Sequence, residues 1–325
     1  MRLRRSQTSD PGYRRRRRGR GFSYADEDGR PVTDPAELER FRSLAIPPAW
    51  TDVWICRDPR GHLQAVGTDA AGRRQYLYHP QWRVKRDAAK FDHVLDVGRR
   101  LPDLRRRVDQ DLRARGLCRP RVLAAVARLL DMGGFRTGSD QYATGDDPSF
   151  GVATLRPEHA RARAGCVILE FNAKGGITQL REVTDPDVCD VLRALRRRRR
   201  HEVRLFAYYA DRRWYDVRAD EINAYLREAS GGEMTAKDFR TWHATVLAAT
   251  LLAADGGHPS TTRRRRAVTG VMREVAQLLG NTPTVARTSY VDPRVVDLYH
   301  HGELARVPPG ASRDVAERAV LELLS

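Results

Sequence analysis

Cysteine is scarce in this sequence and is not arranged in pairs. The four cysteines, Cys56, Cys118, Cys166 and Cys189, are far apart in a chain of 325 residues, and no C-x-x-C pair occurs. This spacing argues against a disulfide framework and against a zinc site, and it fits a reducing compartment. We therefore expect a cytoplasmic protein.

Long apolar segments and export signals are also missing. The longest apolar stretch, Val246–Ala254, is too short to span a bilayer, and the basic N-terminus is not followed by the apolar segment of a signal peptide. The sequence contains no cluster of carboxylates that would hold a metal ion. We expect no membrane association, no bound metal and no cofactor.

Positive charge is in excess. Lys and Arg total 59 against 42 Asp and Glu, which gives a formal net charge of +17, and 41% of the residues are hydrophobic, enough to build a core. This balance predicts a polyanionic partner, with nucleic acid as the leading candidate. The alternative is a host whose proteins are arginine-rich in general.

Patterning divides the chain into three parts and predicts an α+β fold class. Residues 1–20 carry the run Arg14–Arg18 and are expected to form a flexible basic arm. Residues 21–85 hold short apolar runs separated by glycine turns, which predict a small β-rich domain. Residues 86–325 have helical periodicity and one predicted hairpin, which indicates a mainly helical domain. We predict strands at 53–56, 62–68, 74–78, 167–171 and 177–183, short strands within 203–214, and helices at 35–44, 91–101, 104–112, 119–132, 187–200, 220–228, 235–254, 263–279, 283–290 and 312–324.

Aromatic side chains are interleaved with cations near the end of the β-rich part. Tyr76 and Tyr78 share one face of a predicted strand, and Trp82, Arg83 and Lys85 follow. Such a pattern suits a surface that flanks nucleic acid. The alternative is that this face of the strand is core.

Two cations are flanked by glycine in the helical part. Arg136 follows Gly133-Gly134 at the end of a predicted helix, where its guanidinium could bind two phosphate oxygens. Lys174 lies in the predicted hairpin turn Asn172–Gly176. The alternatives are an arginine paired with a carboxylate and an ordinary solvated lysine.

Two more cations open a predicted helix. Thr235 is expected to be the N-cap, with Asp238 in the first turn. Lys237 and Arg240 are three residues apart and share one face, so they present two positive charges near the helix start. His243 follows on that side, where a packed or surface role is commoner than catalysis.

The stretch Leu279–Tyr290 organises these candidates. A Gly-Asn-Thr-Pro turn ends one helix and starts a short one that carries Tyr290. A tyrosine hydroxyl has a pKa near 10 and is a poor nucleophile unless neighbouring charges assist it. We predict that Arg136, Lys174 and Arg240 converge with Tyr290 on one phosphodiester. Taken alone, Tyr290 would be a helix tyrosine without a special role.

The ordered set of candidates resembles the type IB DNA topoisomerases, specifically the small bacterial and poxvirus branch. The resemblance extends over nearly the whole chain. It rests on these motifs: Ile46-Pro-Pro-Ala-Trp50, Gly72-Arg-Arg-Gln-Tyr-Leu-Tyr-His-Pro80, Gly134-Phe-Arg-Thr-Gly138, Ala173-Lys-Gly-Gly176, Thr235-Ala-Lys-Asp-Phe-Arg-Thr-Trp242, Leu279-Gly-Asn-Thr-Pro283 and Ser289-Tyr290.

The resemblance implies a monomeric, two-lobed clamp around duplex DNA, preferably supercoiled, in the bacterial nucleoid. It would relax supercoils through a 3′-phosphotyrosyl intermediate without ATP or metal. Tyr290 would be the nucleophile, Arg136 and Arg240 would bind the non-bridging oxygens, and Lys174 would protonate the 5′-oxygen. Asn281 stands where the poxvirus enzymes have histidine; asparagine can donate a hydrogen bond to phosphate but cannot carry a proton.

The resemblance also implies DNA-contacting residues outside the catalytic set. These positions are Tyr76, Tyr78, Tyr142 and Lys237.

Two alternative functions remain open at this level. A tyrosine recombinase shares the Arg, Lys, Arg, Tyr chemistry, but such enzymes usually have His-x-x-Arg where this chain has Lys237-x-x-Arg240, and a helical N-terminal domain. A non-enzymatic basic DNA-binding protein would explain the charge but gives no reason for Tyr290 or Lys174.

Overall fold

The computed structural model of the protein describes residues 2–198 and 204–325. The chain divides into two compact units, Met1–Phe91 and Asp92–Ser325. The first unit holds a five-stranded antiparallel sheet, and the second is mostly helical with two small sheets. The predicted α+β class is confirmed, and the division falls after Phe91 rather than after residue 85.

The described part of the first unit contains five strands, one complete helix and the start of the long helix that follows. The strands are β1 (Gly12–Arg18), β2 (Gly21–Ala25), β3 (Thr51–Cys56), β4 (Leu63–Thr68) and β5 (Arg74–Tyr78), and helix α1 (Pro35–Ser43) follows β2. Their order in the sheet is β2-β1-β3-β4-β5, with every neighbouring pair antiparallel. Asp34 caps α1, whose Phe41 packs in a small core with strand residues such as Val53 and Ile55.

The arginine run near the N-terminus forms a strand. We expected a flexible arm over residues 1–20, but β1 pairs with both β2 and β3. Tyr13 contacts Phe41, with ring centroids 4.9 Å apart, and Arg15 donates a hydrogen bond to the carbonyl of Ile46 at 3.0 Å. The expectation is therefore wrong for β1, because Tyr13 and Arg15 have side-chain partners and the backbone of the strand pairs on both sides.

The helix after β5 is longer than predicted. Helix α2 (Pro80–Leu112) continues through Pro102, where we predicted a break. Leu101 and Leu104 are both fully buried, so packing holds the helix on both sides of the proline despite the lost hydrogen bond. Residues 80–90 are mostly exposed and therefore lack the apolar periodicity that marks a helix in sequence.

The second unit contains the predicted hairpin and further helices. Its elements are α3 (Arg119–Met132), β6 (Ala160–Arg163), β7 (Cys166–Ala173), β8 (Ile177–Val183), α4 (Pro186–Arg197), β9 (Ala207–Ala210), β10 (Arg213–Asp216), α5 (Ala219–Ser230), α6 (Ala236–Asp255), α7 (Thr261–Leu279), α8 (Pro283–Ser289), α9 (Pro293–His301) and α10 (Arg313–Leu324). Helix α9 was not predicted, although Asp292-Pro293 is a start signal. The predicted end of α4 at Arg200 and the start of the predicted strands at 203 lie outside the described residues. In the described ranges, no helix is both long and apolar enough to cross a bilayer.

Helix α6 lies at the centre of the second unit. It packs against α3, α5, α7, α9 and α10, and it is buried over most of its circumference, including Phe239 and Trp242. Gly98 of α2 leaves room for Trp242, since a Cβ there would lie 2.8 Å from the indole ring. The first turns of α6 carry Lys237 and Arg240, so the core of this unit fixes the start of the candidate site.

Candidate active site

Arg136 follows a glycine turn at the end of α3. Gly133 and Gly134 have φ angles of 90° and 79°, a region that side chains with a Cβ rarely adopt. The main chain beyond the turn is fixed as well, because the N–H of Val152 donates to the carbonyl of Arg136 at 2.8 Å. The glycine pair thus ends the helix as predicted and presents Arg136 beyond it.

Arg240 is almost completely buried, with 4% of its surface exposed. Thr235 caps α6 as predicted: its N–H and its hydroxyl each donate to the Asp238 carboxylate at 2.8 Å. The Arg240 guanidinium donates to the main-chain carbonyls of Leu279 at 2.8 Å and Gly134 at 3.4 Å. The helix start and the glycine turn therefore meet at this side chain.

Three arginines bind the last carbonyls of α7. Arg181 donates to Leu278 at 3.1 Å, Arg240 to Leu279 at 2.8 Å, and Arg136 to Gly280 at 3.4 Å. The end of a helix has free carbonyls and a partial negative charge, which stabilise cations placed there. Among ion pairs of the described residues, none involves these three arginines.

The guanidinium groups lie close enough to affect one another. Burial first, and then the charge of Arg136, lower the pKa of Arg240 to about 10; Arg181 adds to this effect and Tyr290 opposes it. Arg240 still carries its charge at neutral pH. The cluster is therefore positive and is suited to an anion.

Asn281 follows directly on this helix end. Gly280 has a φ of 60° and ends α7, and the Asn281 N–H donates to the carbonyl of Ala276 at 2.9 Å. The side-chain Oδ1 of Asn281 accepts a hydrogen bond from Arg136 at 2.6 Å. Its Nδ2 is buried and has no hydrogen-bond partner within the described part of the chain. A buried donor without a partner, inside a cationic cluster, is available to a phosphate oxygen.

Tyr290 is brought to the same cluster by α8. Thr282 caps this short helix, and Tyr290 follows its last turn. The guanidinium carbon of Arg240 lies 5.1 Å from the centre of the Tyr290 ring. Burial raises the pKa of Tyr290. The positive charges of Arg240 and then of Arg136 lower it by more than burial raises it, so the net shift is downward. The phenolate, which is the nucleophilic form, therefore forms at lower pH than in a free tyrosine.

Thr245 fixes the main chain at Tyr290 and was missed in the sequence. It is buried on α6, five residues after Arg240; its hydroxyl donates to the carbonyl of Tyr290 at 3.3 Å and accepts from the N–H of Asp292 at 3.1 Å. One helix therefore holds both Arg240 and the main chain at Tyr290. No spacing signal distinguishes Thr245 from the other small residues of α6.

Lys174 lies at the rim of the cluster. It occupies the turn between β7 and β8 as predicted, where Gly175 and Gly176 have φ angles of 90° and 71°. Its side chain is exposed and lines the same small cleft as Arg136. Unlike the arginines, it forms no hydrogen bond to the end of α7 in the described chain.

The candidate DNA-contacting residues are exposed. Lys237 is exposed on α6, and its charge contributes to the lowered pKa of Tyr290. In the first unit, Tyr76 and Tyr78 are 52% and 37% exposed, which excludes the alternative that their face is core. Tyr142, in the second unit, is 43% exposed.

His243 belongs to a buried ionic network instead of the arginine cluster. Its Nε2 lies 3.4 Å from Asp131, and it contacts Arg313 of α10. Asp131 also accepts from Arg105 of α2 at 2.9 Å. Burial lowers the pKa of His243, so it is neutral in this network and joins helices, in line with the commoner role of such a histidine.

Comparison with known proteins identifies the family of the chain. Residues 79–300 match the catalytic core of eukaryotic DNA topoisomerase I, and residues 21–69 match the N-terminal domain of bacterial DNA topoisomerase IB. The chain is also similar to the DNA topoisomerase 1B of Acanthamoeba polyphaga mimivirus, with 28% identity over 298 residues that cover 89% of this chain and 88% of the relative. These matches favour a topoisomerase over a recombinase or a non-enzymatic DNA-binding protein. Because the catalytic-core match spans well over half of the chain, the protein belongs to the type IB DNA topoisomerases.

Proposed function

We propose that the protein relaxes supercoiled duplex DNA by cleaving one strand through a covalent bond to Tyr290. The observation that carries this proposal is the meeting of Arg136, Arg240 and Asn281 at the end of α7, with the Tyr290 ring beside Arg240. The cluster offers positive charge and unpaired donors next to a tyrosine with a lowered pKa.

In the cleavage step, the Tyr290 oxygen attacks the scissile phosphorus. The new bond joins this oxygen to phosphorus, and the bond between phosphorus and the 5′-oxygen breaks. The tyrosine proton leaves to solvent, and the Lys174 ammonium gives a proton to the 5′-oxygen, so that a free 5′-hydroxyl and a 3′-phosphotyrosyl diester result. General acid catalysis of this kind contributes roughly 10²–10⁴-fold.

Arg136, Arg240 and the Asn281 amide bind the non-bridging oxygens. A five-coordinate phosphorus concentrates negative charge on its equatorial oxygens, which donors already in place stabilise without reorganisation. Removing one such donor typically costs about 10²–10³-fold in rate.

Religation reverses these steps. The phosphotyrosyl diester conserves the energy of the broken bond, so attack by the 5′-hydroxyl needs no ATP. While the 5′-end is free, the duplex can swivel and release supercoils. Nucleophile, acid and oxygen ligands all come from side chains of this chain, and we propose that the reaction needs no metal.

The remaining predicted residues would hold the duplex. We propose that Tyr76 and Tyr78 in the first unit, with Tyr142 and Lys237 in the second, contact DNA within a monomeric two-lobed clamp. The net charge of +17 supports association with the nucleoid and a preference for DNA over other partners.

Plasmid relaxation tests this proposal. Purified protein should convert negatively supercoiled plasmid to relaxed topoisomers in EDTA and without ATP. A requirement for divalent metal or ATP, or strand exchange between specific sites in place of relaxation, would refute it.

A further inference from the structure

Arg181 is a cation at the site to which the mechanism above gives no role. It lies on β8, the strand that follows the Lys174 turn, and its side chain points to the same face as the buried Val183. Sequence analysis missed it because an arginine on an edge strand is usually a solvated surface residue.

One guanidinium joins three segments of the site. Its NH2 donates to the carbonyl of Leu278 at the end of α7 at 3.1 Å, and to the Oε1 of Gln179 on its own strand at 2.9 Å. It also packs on the glycine turn before Arg136: a Cβ built on Gly134 would lie 2.6 Å from the Arg181 NH2. The hairpin, the glycine turn and the end of α7 thus meet at Arg181.

This arrangement has an energetic cost that packing alone does not explain. The Arg181 guanidinium lies in a poorly solvated position, and this burial lowers its pKa because the charged form is disfavoured there. The ion pairs of the described residues include no carboxylate partner for it, and the charges of Arg181 and Arg240 repel each other.

The position of Arg181 links it to Lys174. The three-stranded sheet has the order β6-β7-β8, so β8 is an edge strand with a strand neighbour on one side. Strand β8 begins at Ile177, directly after the Lys174 turn. Arg181 lies four residues further along this strand and fixes its edge to α7. At about 3.3 Å per residue, this anchor stands roughly 13 Å from the turn. A small tilt of the hairpin at Arg181 would therefore displace the Lys174 ammonium.

We propose that Arg181 is a positioning residue that fixes the β7–β8 hairpin on the end of α7 and so aligns Lys174 with the 5′-oxygen. This inference rests on the proposed role of Lys174 as the general acid. It predicts that loss of Arg181 impairs proton donation to the leaving group more than it impairs attack by Tyr290.

A change of leaving group separates these two effects. Single-turnover cleavage is measured on two matched duplexes, one with the normal 5′-oxygen at the scissile phosphate and one with a 5′-bridging sulfur. A thiol has a pKa near 8.5, so a thiolate leaves without a proton. Lys174→Ala should be slow on the oxygen duplex and close to the parent rate on the sulfur duplex.

Arg181→Gln should lose cleavage rate on the same duplex as Lys174→Ala does, but by a smaller factor. We expect a loss of about 10- to 100-fold on the oxygen duplex, the range that a misplacement near 1 Å produces. The same variant should cleave the sulfur duplex near the parent rate, which also shows that it is folded. The double variant Lys174→Ala/Arg181→Gln should be no slower on the oxygen duplex than Lys174→Ala, because both changes remove the same contribution.

Two further variants complete the test. Arg181→Lys keeps the charge but not the planar guanidinium, so it should retain the defect on the oxygen duplex. Arg163→Gln makes the same chemical change at an exposed arginine of the same sheet and should leave both rates unchanged.

The outcomes distinguish this inference from the mechanism on which it rests. Equal losses of Arg181→Gln on both duplexes, full recovery by Arg181→Lys, or an equal oxygen-specific loss in Arg163→Gln would each overturn the positioning role. If Lys174→Ala itself is not rescued by sulfur, then the assignment of Lys174 as the general acid has failed instead.

Discussion

The second unit holds the cations of the candidate site in two different ways. Arg136 and Arg240 donate to the last carbonyls of α7, and Arg240 is almost completely buried. Lys174 is exposed in a glycine turn, and Lys237 is exposed in the first turn of α6. The arginines are therefore fixed by the protein itself, whereas the lysines extend into solvent.

The difference agrees with what each group is proposed to bind. The carbonyl oxygens at the end of α7 accept hydrogen bonds from the guanidinium groups, as phosphate oxygens are proposed to do. The arginine cluster can therefore assemble before DNA binds. An arginine has five N–H donors, and the Arg240 Nε has no partner among the described residues, so donors remain for a phosphate. A general acid instead has to reach a leaving oxygen that is present only when DNA is bound.

Loss of the proposed nucleophile should have the largest effect. The residual activity of this variant is the baseline against which variants of the two kinds of cation are compared. Tyr290→Phe removes the attacking oxygen while keeping the ring beside Arg240. We expect relaxation to fall by at least about 10⁴-fold, to the limit of detection, because no other group forms the covalent bond. Plasmid relaxation over a wide range of enzyme concentrations measures this. Relaxation at the parent rate would show that the nucleophile is a different residue.

Removing Lys174, the proposed general acid, should have the next largest effect. Lys174→Ala is expected to slow single-turnover cleavage by roughly 10²–10⁴-fold. Thermal stability should change little, since the side chain is exposed. A melting curve of the same preparation is the control, and a large loss of stability would argue that Lys174 has a structural role.

Removing a buried arginine should slow cleavage by about 10²–10³-fold. In contrast to Lys174, Arg240→Ala should also lower the melting temperature, because it leaves the Leu279 carbonyl without its donor. Arg240→Lys should recover little activity, since an ammonium cannot reproduce the planar arrangement of donors. Full activity of Arg240→Lys would mean that charge alone matters, and would weaken the contrast between the two kinds of cation.

The alkaline rise of the cleavage rate should depend on the buried arginine and not on the exposed lysine. Arg240 lowers the pKa of Tyr290, so the phenolate forms at lower pH than in a free tyrosine. Arg240→Gln removes this charge, and the alkaline rise of the rate should move to higher pH. Rates from pH 6 to pH 10.5 measure the shift. No such shift is expected for Lys174→Ala, and an equal shift in both variants would contradict the distinction.

The smallest effect concerns DNA affinity. Lys237 is exposed, and we expect Lys237→Ala to weaken DNA binding about equally for all sequences and to reduce the slope of log affinity against log salt by about 1. Binding titrations of a catalytically inactive Tyr290→Phe protein at several salt concentrations test this. An unchanged slope would exclude Lys237 as a phosphate contact.

The sequence predicted the local geometry of the site better than its assembly. The glycine turn before Arg136, the Thr235 cap of α6 and the hairpin turn at Lys174 are all short-range features, set by glycine conformations and capping hydrogen bonds. Such features depend on a few neighbouring residues and are therefore visible in sequence.

The contacts that gather these segments are long-range. Arg240 meets Leu279, and Thr245 meets Tyr290, across dozens of residues, and no spacing pattern encodes such pairs. The contact of Arg181 with Leu278 is also long-range, and an arginine on an edge strand is usually solvated, so it was not predicted. A second failure concerned β1: a run of arginines indicates a solvated segment by composition, yet Tyr13 and Arg15 have partners within the first unit.

The central claim is that Tyr290 is the residue that becomes joined to DNA. A duplex designed so that the cleaved 5′-end dissociates would trap the covalent complex. Protease digestion and mass spectrometry of the complex would then locate the modified residue. The account predicts one adduct, on Tyr290, attached through a 3′-phosphate. An adduct on any other residue, or attachment through a 5′-phosphate, would contradict it.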